Sequence, residues 1–424
     1  MAIFLTKSFY NCFLQIAVSE GVNERLLRAR QRLENILYHN IIPFWYRVVD
    51  RESGGYNLNH GIDGQSLGKG SKMVVTQARM LWYFSMLYRE GLAGKEALEA
   101  AEHGFEFFCS KMMDKEHGGF FWEIDASGRV TKDFKHLYGQ AFALFGISQY
   151  AIATGSKEAG NLARELFELL ERIAHDSEHG GYLEFFTRDW RPLRDAPSPV
   201  GPAGSKTMNT HLHMMEALAA YLELSRDERA AHRLAELVLV MVDAVVERSS
   251  GACIDLHDIA WKPVPIGGGY RVSYGHNLEA LWLVADSCKL LEVPPRLLSK
   301  YFRAVYDYCS KFGFDEEKGG VYESGSLGGP ADKLEKVWWV QAESLVAMLY
   351  MYSLYRENQY LRDFEKQLDW IEKYQVDWYR GDWFEVVLPN EKPAGGKAHI
   401  WKGAYHNGRS MVKCIKLIDE LIKT

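Results

Sequence analysis

The chain has little cysteine, little proline, no excess of basic residues and no long apolar run. Each shortage removes a class of protein. There are 6 cysteines and 12 prolines among 424 residues. Cys12, Cys109, Cys253, Cys288, Cys309 and Cys414 form no Cys-x-x-Cys pair and show no metal-ligand spacing. A disulfide framework and a zinc module are therefore not expected, and scattered thiols suit a reduced, cytoplasmic protein. Lys and Arg number 50 against 56 Asp and Glu, for a formal net charge of -6. That balance leaves no basic stripe for nucleic acid. No stretch approaches the roughly 18 to 20 apolar residues of a membrane span. Gly-x-Gly-x-x-Gly and P-loop motifs are missing, which argues against dinucleotide and phosphate-cradling folds. No Pro/Ser-rich linker divides the chain, so residues 23–424 are expected to form a single domain. The apolar start, residues 1–18, is interrupted by Lys7, Asn11 and Gln15 and lacks a small-residue cleavage site. Residues 1–22 therefore read as an extra N-terminal docking helix and not as a signal peptide.

What the chain does have is aromatic content and repetition. Aromatics make up 13%, with 12 Trp and 23 Tyr. Such a surplus fills a large core or lines a carbohydrate groove. A glycine turn followed by apolar residues occurs six times, at Gly54-Gly55-Tyr56, Gly118-Gly119-Phe120, Gly180-Gly181-Tyr182, Gly251-Ala252-Cys253, Gly319-Gly320-Val321 and Gly381-Asp382-Trp383. Alternating residues after each turn predict short strands or extended loops. Between turns lie pairs of segments with helical periodicity, such as His136 to Ala153 followed by Lys157 to His175. The last, His399 to Ile422, is expected to pair with Asn23 to Val48. Six hairpins predict an all-α fold, an (α/α)6 barrel closed by its own ends, with short strands or loops at one end. The segments 194–204 and 325–330 are expected to be lids over its mouth.

The first helix of each hairpin carries polar residues near its start. These are Gln77 and Arg79; Tyr138 and Gln140; Asn209, His211, His213 and Glu216; His276, Asn277 and Glu279; Trp338, Trp339, Gln341 and Glu343; and Trp401, Lys402, Tyr405, His406, Asn407 and Arg409. If these helices form an inner ring, the groups converge at one mouth. His213, His276 and His406 are each followed at +3 by a charged residue, a spacing that places the two on one helix face. Histidines so oriented suit acid–base work at neutral pH. Their spread over three hairpins without a short-range triad argues against a metal site. Arg79, in an apolar helix, needs a partner, either a protein carboxylate or a substrate oxyanion. Glu216 and Glu279 could be a glycosidase pair, although support of the neighbouring histidines is the better reading. Trp338, Trp339 and Trp401 could stack on a sugar or fill the core.

Six ordered motifs carry a resemblance: Gln77-Ala-Arg-Met-Leu-Trp82, Leu137-Tyr-Gly-Gln140, Lys206-Thr-Met-Asn-Thr-His-Leu-His213, Ser273-Tyr-Gly-His-Asn-Leu-Glu279, Val337-Trp-Trp-Val-Gln-Ala-Glu343 and Trp401-Lys-Gly-Ala-Tyr-His-Asn-Gly-Arg409. From about residue 23 onward the chain resembles the N-acylglucosamine 2-epimerase superfamily, most closely its cellobiose 2-epimerase branch. The resemblance implies an isomerase that inverts C2 of a reducing-end aldose through a cis-enediolate, with no cofactor and no metal. The substrate would be cellobiose, another β-1,4-disaccharide, or free glucose or mannose. The resemblance implies paired acid/base roles for His276 and His406, with His213 and Arg79 completing the catalytic set. Asn209 and Glu279 would support them. Tyr138, Trp338, Trp339, Trp401 and Glu343 would bind the sugar. The partner would be a small sugar, and the protein a monomer or homodimer with no nucleic-acid or membrane partner. An aldose–ketose isomerase is the alternative within the superfamily. A glycoside hydrolase and a non-catalytic sugar-binding barrel lie outside it.

Overall fold

The computed structural model describes residues 21–423. Cys12 and most of the expected docking helix 1–22 lie outside the described residues. In chain order the long helices are α1 (residues 21–36, prolonged by a π turn Leu37–Ile41 and by Ile42–Trp45), α2 (Val74–Arg89), α3 (Lys95–Phe107), α4 (Leu137–Thr154), α5 (Lys157–Ile173), α6 (Met208–Ser225), α7 (Glu228–Leu239), α8 (Tyr274–Leu290), α9 (Ser299–Gly313), α10 (Trp338–Tyr355), α11 (Asn358–Trp370) and α12 (Tyr405–Lys423). The even-numbered helices touch one another in order, and α12 returns to α2, closing an inner ring. The odd-numbered helices pack outside it. This is the expected (α/α)6 barrel, with α1 and α12 as its closing pair.

Composition decides which helix goes where. α2 is buried at every position from Val74 to Leu87, and α10 at nearly every position. A helix that is apolar all round must lie inside. α5 buries only Ala159, Ala163, Leu166, Phe167 and Leu170, one stripe at helical spacing. Its start is set by Ser156, whose side chain accepts from the Ala159 N–H. α4 ends at Gly155 in the left-handed region, with φ 70°. Ion pairs tie α1 to its neighbours: Arg30 to Asp419 of α12 at 2.7 Å, and Arg25 to Glu365 of α11 at 2.6 Å.

One end of the ring is built from the glycine turns. A two-residue strand lies ahead of α2, α4, α6 and α10 and a three-residue strand, Arg271–Ser273, ahead of α8, and each pairs antiparallel with the strand after the next turn. Thus Lys72–Met73 pairs with Glu123–Ile124, Lys135–His136 with Phe185–Phe186, and Lys206–Thr207 with Leu256–His257. These ladders stitch adjacent hairpins. Four of these strands open with a lysine that reaches the aspartate opening a turn: Lys72 to Asp50 at 2.8 Å, Lys135 to Asp114 at 3.0 Å, Lys206 to Asp176 at 2.7 Å and Lys336 to Asp315 at 2.7 Å. Because that lysine and its neighbour are strand residues, the inner helices start later than the periodicity suggests. α10 begins at Trp338 and not at Leu334; α12 begins at Tyr405 and not at His399, because His399 and Lys402 form a bridge across a turn there.

Four of the six glycine turns are held by an amide side chain on an inner helix. Gln77 bonds both N–H and C=O of Tyr56, Gln140 those of Phe120, Asn277 those of Cys253 and Gln341 those of Val321. His211 accepts from the Tyr182 N–H at 2.9 Å. The close approach explains the second glycine. At Gly55, with φ +64°, a Cβ would sit 2.6 Å from Gln77 Oε1. So Gln77, Gln140, His211, Asn277 and Gln341 act as clamps and do not belong to the mouth, as their polarity had suggested.

The two expected lids differ. Residues 194–204 run across the mouth, pinned where His136 Nε2 meets the Val200 carbonyl at 3.2 Å. Residues 325–330 are the turn of a hairpin, Ser324–Ser326 with Ala331–Lys333, and line no cavity at the mouth. Their glycines and proline make a tight reversal, which the sequence pattern cannot separate from a lid. Among the described residues, no helix is long and apolar enough to cross a membrane. The five described cysteines are free.

Candidate active site

A cavity of about 230 Å³ opens at the turn-bearing end of the ring. Nine of the eleven side chains singled out from the sequence line it: Arg79, Tyr138, Asn209, His213, His276, Trp338, Trp339, Trp401 and His406. Pro199 and Val200, of the loop across the mouth, complete the wall. The sequence offered these two only as part of a lid. Glu279, expected to support the histidines, and Glu343, expected to bind the sugar, lie one layer deeper and do not line the cavity.

Counting from the clamp residue shows how the inner helices present their groups. His276 and His406 each precede a clamp-register residue, Asn277 and Asn407. Arg79, His213, Glu279, Glu343 and Arg409 each follow that register by two. The three histidines are therefore not at one repeat position, as their shared +3 spacing had suggested. His213 occupies the register of Arg79.

The floor is a buried charge network centred on Arg409. Its guanidinium donates to Glu216, Glu279 and Glu343 and to the Tyr405 hydroxyl. The Tyr405 hydroxyl in turn donates to Glu216. Glu343 also accepts from Trp282 Nε1 at 3.0 Å and meets His406 Nδ1 at 2.6 Å. Glu216 meets His213 Nδ1 at 3.3 Å. A carboxylate against Nδ1 selects the tautomer with hydrogen there and leaves Nε2 as a free base. Ligand atoms of Glu279, Glu343 and His406 lie within 4.8 Å of one another, a grouping that could hold a metal. The guanidinium of Arg409 already supplies the cation at that point.

Electrostatics follow from burial. Desolvation, helped by Arg79 and Arg409, holds His406 well below the usual histidine range. His276 is pushed down to about 3 by desolvation, then by His213 and Arg79. Both imidazoles are therefore neutral near pH 7. The His276 ring lies 4.6 Å from Trp339, and its Nδ1 has no partner. Arg409 holds Glu216 down, to about 2. Glu279 is pushed up to about 7 by burial and by the nearby Glu343.

Arg79 is different from Arg409. It is buried, with 4% of its surface exposed, yet no carboxylate of the described residues pairs with it. It donates to the Tyr138 hydroxyl at 3.0 Å and rests against Phe142 and Tyr405. Such a cation is placed to meet an anion that the protein does not itself supply. No carboxylate lines the cavity. Glu216 and Glu279 are both engaged by Arg409, so the carboxylate pair of a glycoside hydrolase is not presented to a substrate.

Residues 54–407 match the N-acylglucosamine 2-epimerase (GlcNAc 2-epimerase) family. A cellobiose 2-epimerase of Dictyoglomus turgidum is 31% identical over 393 residues, covering 90% of this chain and 97% of that protein. A D-mannose isomerase of Marinomonas mediterranea is 22% identical over 90% of this chain and 95% of its own length. The solved structure of a cellobiose 2-epimerase from Spirochaeta thermophila is 33% identical and superposes with a TM-score of 0.85. It covers 93% of this chain and 98% of that one.

Proposed function

The chain belongs to the N-acylglucosamine 2-epimerase family and is a carbohydrate epimerase of the isomerase class; from that premise we propose that it interconverts the gluco and manno configurations at C2 of a reducing-end aldose. The observation that carries this reading is the cavity itself. Two neutral histidines, His276 and His406, share it with a buried cation, Arg79, that lacks a carboxylate partner.

The chemistry needs those three groups. The sugar ring opens when a proton moves from the anomeric hydroxyl to the ring oxygen. The C1 carbonyl then acidifies the proton on C2. One imidazole removes it, and the resulting cis-enediolate places negative charge on oxygen, where Arg79 and the Tyr138 hydroxyl can stabilise it. The other imidazole, having taken a proton from solvent, gives it to C2 on the opposite face, and the first imidazolium releases the proton it took, so both rings return to the neutral state. Each proton transfer by a positioned imidazole contributes about 10²–10⁴-fold. His213, held by Glu216, serves the ring-opening transfer. Trp338, Trp339 and Trp401 offer apolar faces to the sugar.

A cavity of about 230 Å³ is small beside the roughly 300–1,000 Å³ of common ligand sites. It suits one reducing-end unit, with the second sugar of cellobiose or another β-1,4-disaccharide passing outward by Pro199 and Val200. Incubating glucose, mannose and cellobiose in D2O tests the reading. Epimer carrying deuterium at C2 is expected from at least one of them. Ketose as the main product would instead assign aldose–ketose isomerisation, in which the same enediolate is reprotonated at C1. Monosaccharide released from cellobiose would assign hydrolysis. No conversion of any of the three would refute the proposal.

A further inference from the structure

Three carboxyl groups, on Glu216, Glu279 and Glu343, gather on the single guanidinium of Arg409, and all three are buried. Three ionised carboxylates around one cation would leave a surplus of buried negative charge, which is costly without further partners. The donors are unequally shared. Glu216 meets Arg409, Tyr405 and His213. Glu343 meets Arg409, Trp282 and His406. Glu279 receives Arg409 alone, at Oε1, and no donor reaches its Oε2. A bare ionised oxygen at no solvent exposure costs far more than a hydroxyl there.

We infer that Glu279 is a neutral carboxylic acid at working pH, the one protonated member of the three carboxyls on Arg409. The groups facing it agree. Glu343 from α10 and Glu216 from α6 carry like charge toward it. Arg409 from α12 carries the one directly paired positive charge and, with His213 from α6, opposes the upward displacement, while Tyr138, Tyr405 and His406 are uncharged neighbours. The upward displacement of Glu279 to about 7 has the same causes.

The consequence lies one layer up. With Glu279 neutral, the carboxylates of Glu216 and Glu343 balance the guanidinium groups of Arg79 and Arg409 before substrate arrives. Ionising Glu279 would add a negative charge beneath His276 and His406 and favour their imidazolium forms, which cannot act as bases. Glu279 is thus a positioning residue that sets the protonation state of its neighbours. This role rests on the proposed epimerase chemistry, whereas the protonation itself does not.

Infrared difference spectra of the full-length protein, wild type minus Glu279→Gln, test it roughly one unit below pH 7. A carboxylic-acid C=O band present only in the wild type is expected. A difference containing only ionised-carboxylate bands would overturn the inference. If Glu279→Gln does not fold, wild-type protein labelled with ¹³C at glutamate Cδ gives the same reading by NMR. One resonance at the protonated-carboxyl position supports the inference, and its absence overturns it. Failure to epimerise any sugar would leave both spectra unchanged, so the two proposals can fail separately.

Discussion

Replacing Glu343 by Gln asks whether His406 is held ready by its carboxylate. Glu343 Oε1 receives His406 Nδ1 at 2.6 Å and Arg409 at 2.8 Å, and Oε2 receives Trp282 Nε1 at 3.0 Å. All three are donors. A glutamine can turn its oxygen toward His406 and Arg409 only by facing its NH₂ at the Trp282 N–H. Turned the other way, its NH₂ faces His406 and favours hydrogen on Nε2, the wrong nitrogen for a base. The first arrangement leaves one buried donor unmet, about 1–3 kcal/mol, and loses the charge-assisted part of two bonds, which are roughly twice as strong as neutral ones. The second removes His406 as a base, about 10²–10⁴-fold in rate. The expected result is a kcat for sugar epimerisation lower by about 10²–10⁴-fold, with KM changed little, because Glu343 does not line the cavity. Product would be followed by carbohydrate chromatography at saturating substrate, with circular dichroism to confirm the fold. A folded Glu343→Gln protein turning over within about threefold of wild type would refute the claim that this carboxylate sets the state of His406.

Further expectations concern stability. Gln341→Ala strands the buried N–H and C=O of Val321, costing about 2–5 kcal/mol; thermal unfolding should show a lowered Tm, and an unchanged Tm would remove the clamp role. Lys402→Met leaves the buried Asp382 facing Trp45 and Asn407 without its cation. Breaking a buried pair on one side costs about 3–5 kcal/mol, and chemical denaturation should show a loss of that size. His136 is pushed down to about 4 by burial. It is neutral when folded, so the unfolded chain binds more protons between the usual value near 6.5 and about 4. Stability therefore falls as pH drops through that window, by about 3 kcal/mol in full. His136 Nδ1 also accepts from the Tyr138 N–H, and its Nε2 holds the Val200 carbonyl. Its protonation puts hydrogen on Nδ1 and removes the bond from the Tyr138 N–H, so hydrogen exchange at the Tyr138 amide should rise in the same pH window.

The barrel could be read from the sequence because its signals are local. Repeated glycine turns and alternating buried and amphipathic helices each lie within a few dozen residues, and their count implies closure. The lysine–aspartate pairs were harder to see. Lys135 and Asp114 are 21 residues apart and look like ordinary surface charges until the ladder brings them together with no exposure. The site was legible as a set of residue types but not as an arrangement. Two residues along a helix is about 200° of rotation, so a clamp such as Asn277 and its +2 neighbour Glu279 face opposite ways, one toward the turn and one toward the axis. Composition scores both as polar residues in an apolar helix. Three residues is about 300°, which returns nearly to the same face one turn deeper. His276 and Glu279 therefore share the axial face at two depths, as do His406 and Arg409.

Depth is what separates a group that meets sugar from one that tunes it. The sequence had Glu279 paired with His276 because they are neighbours on one helix. The fold pairs Glu279 with Arg409 and Glu343, across the ring. An i, i+3 spacing establishes only that two side chains could meet. In a ring of six buried helices the partner across the axis is as near as the partner along the helix, and it wins when it brings the opposite charge. Arg409 brings that charge to three carboxyls at once, while Arg79, at the same register on the neighbouring helix, is given none. Had the carboxylates been divided evenly between the two arginines, neither would be free to meet an oxyanion. Concentrating them on Arg409 is what leaves Arg79 unpaired at the wall of the cavity.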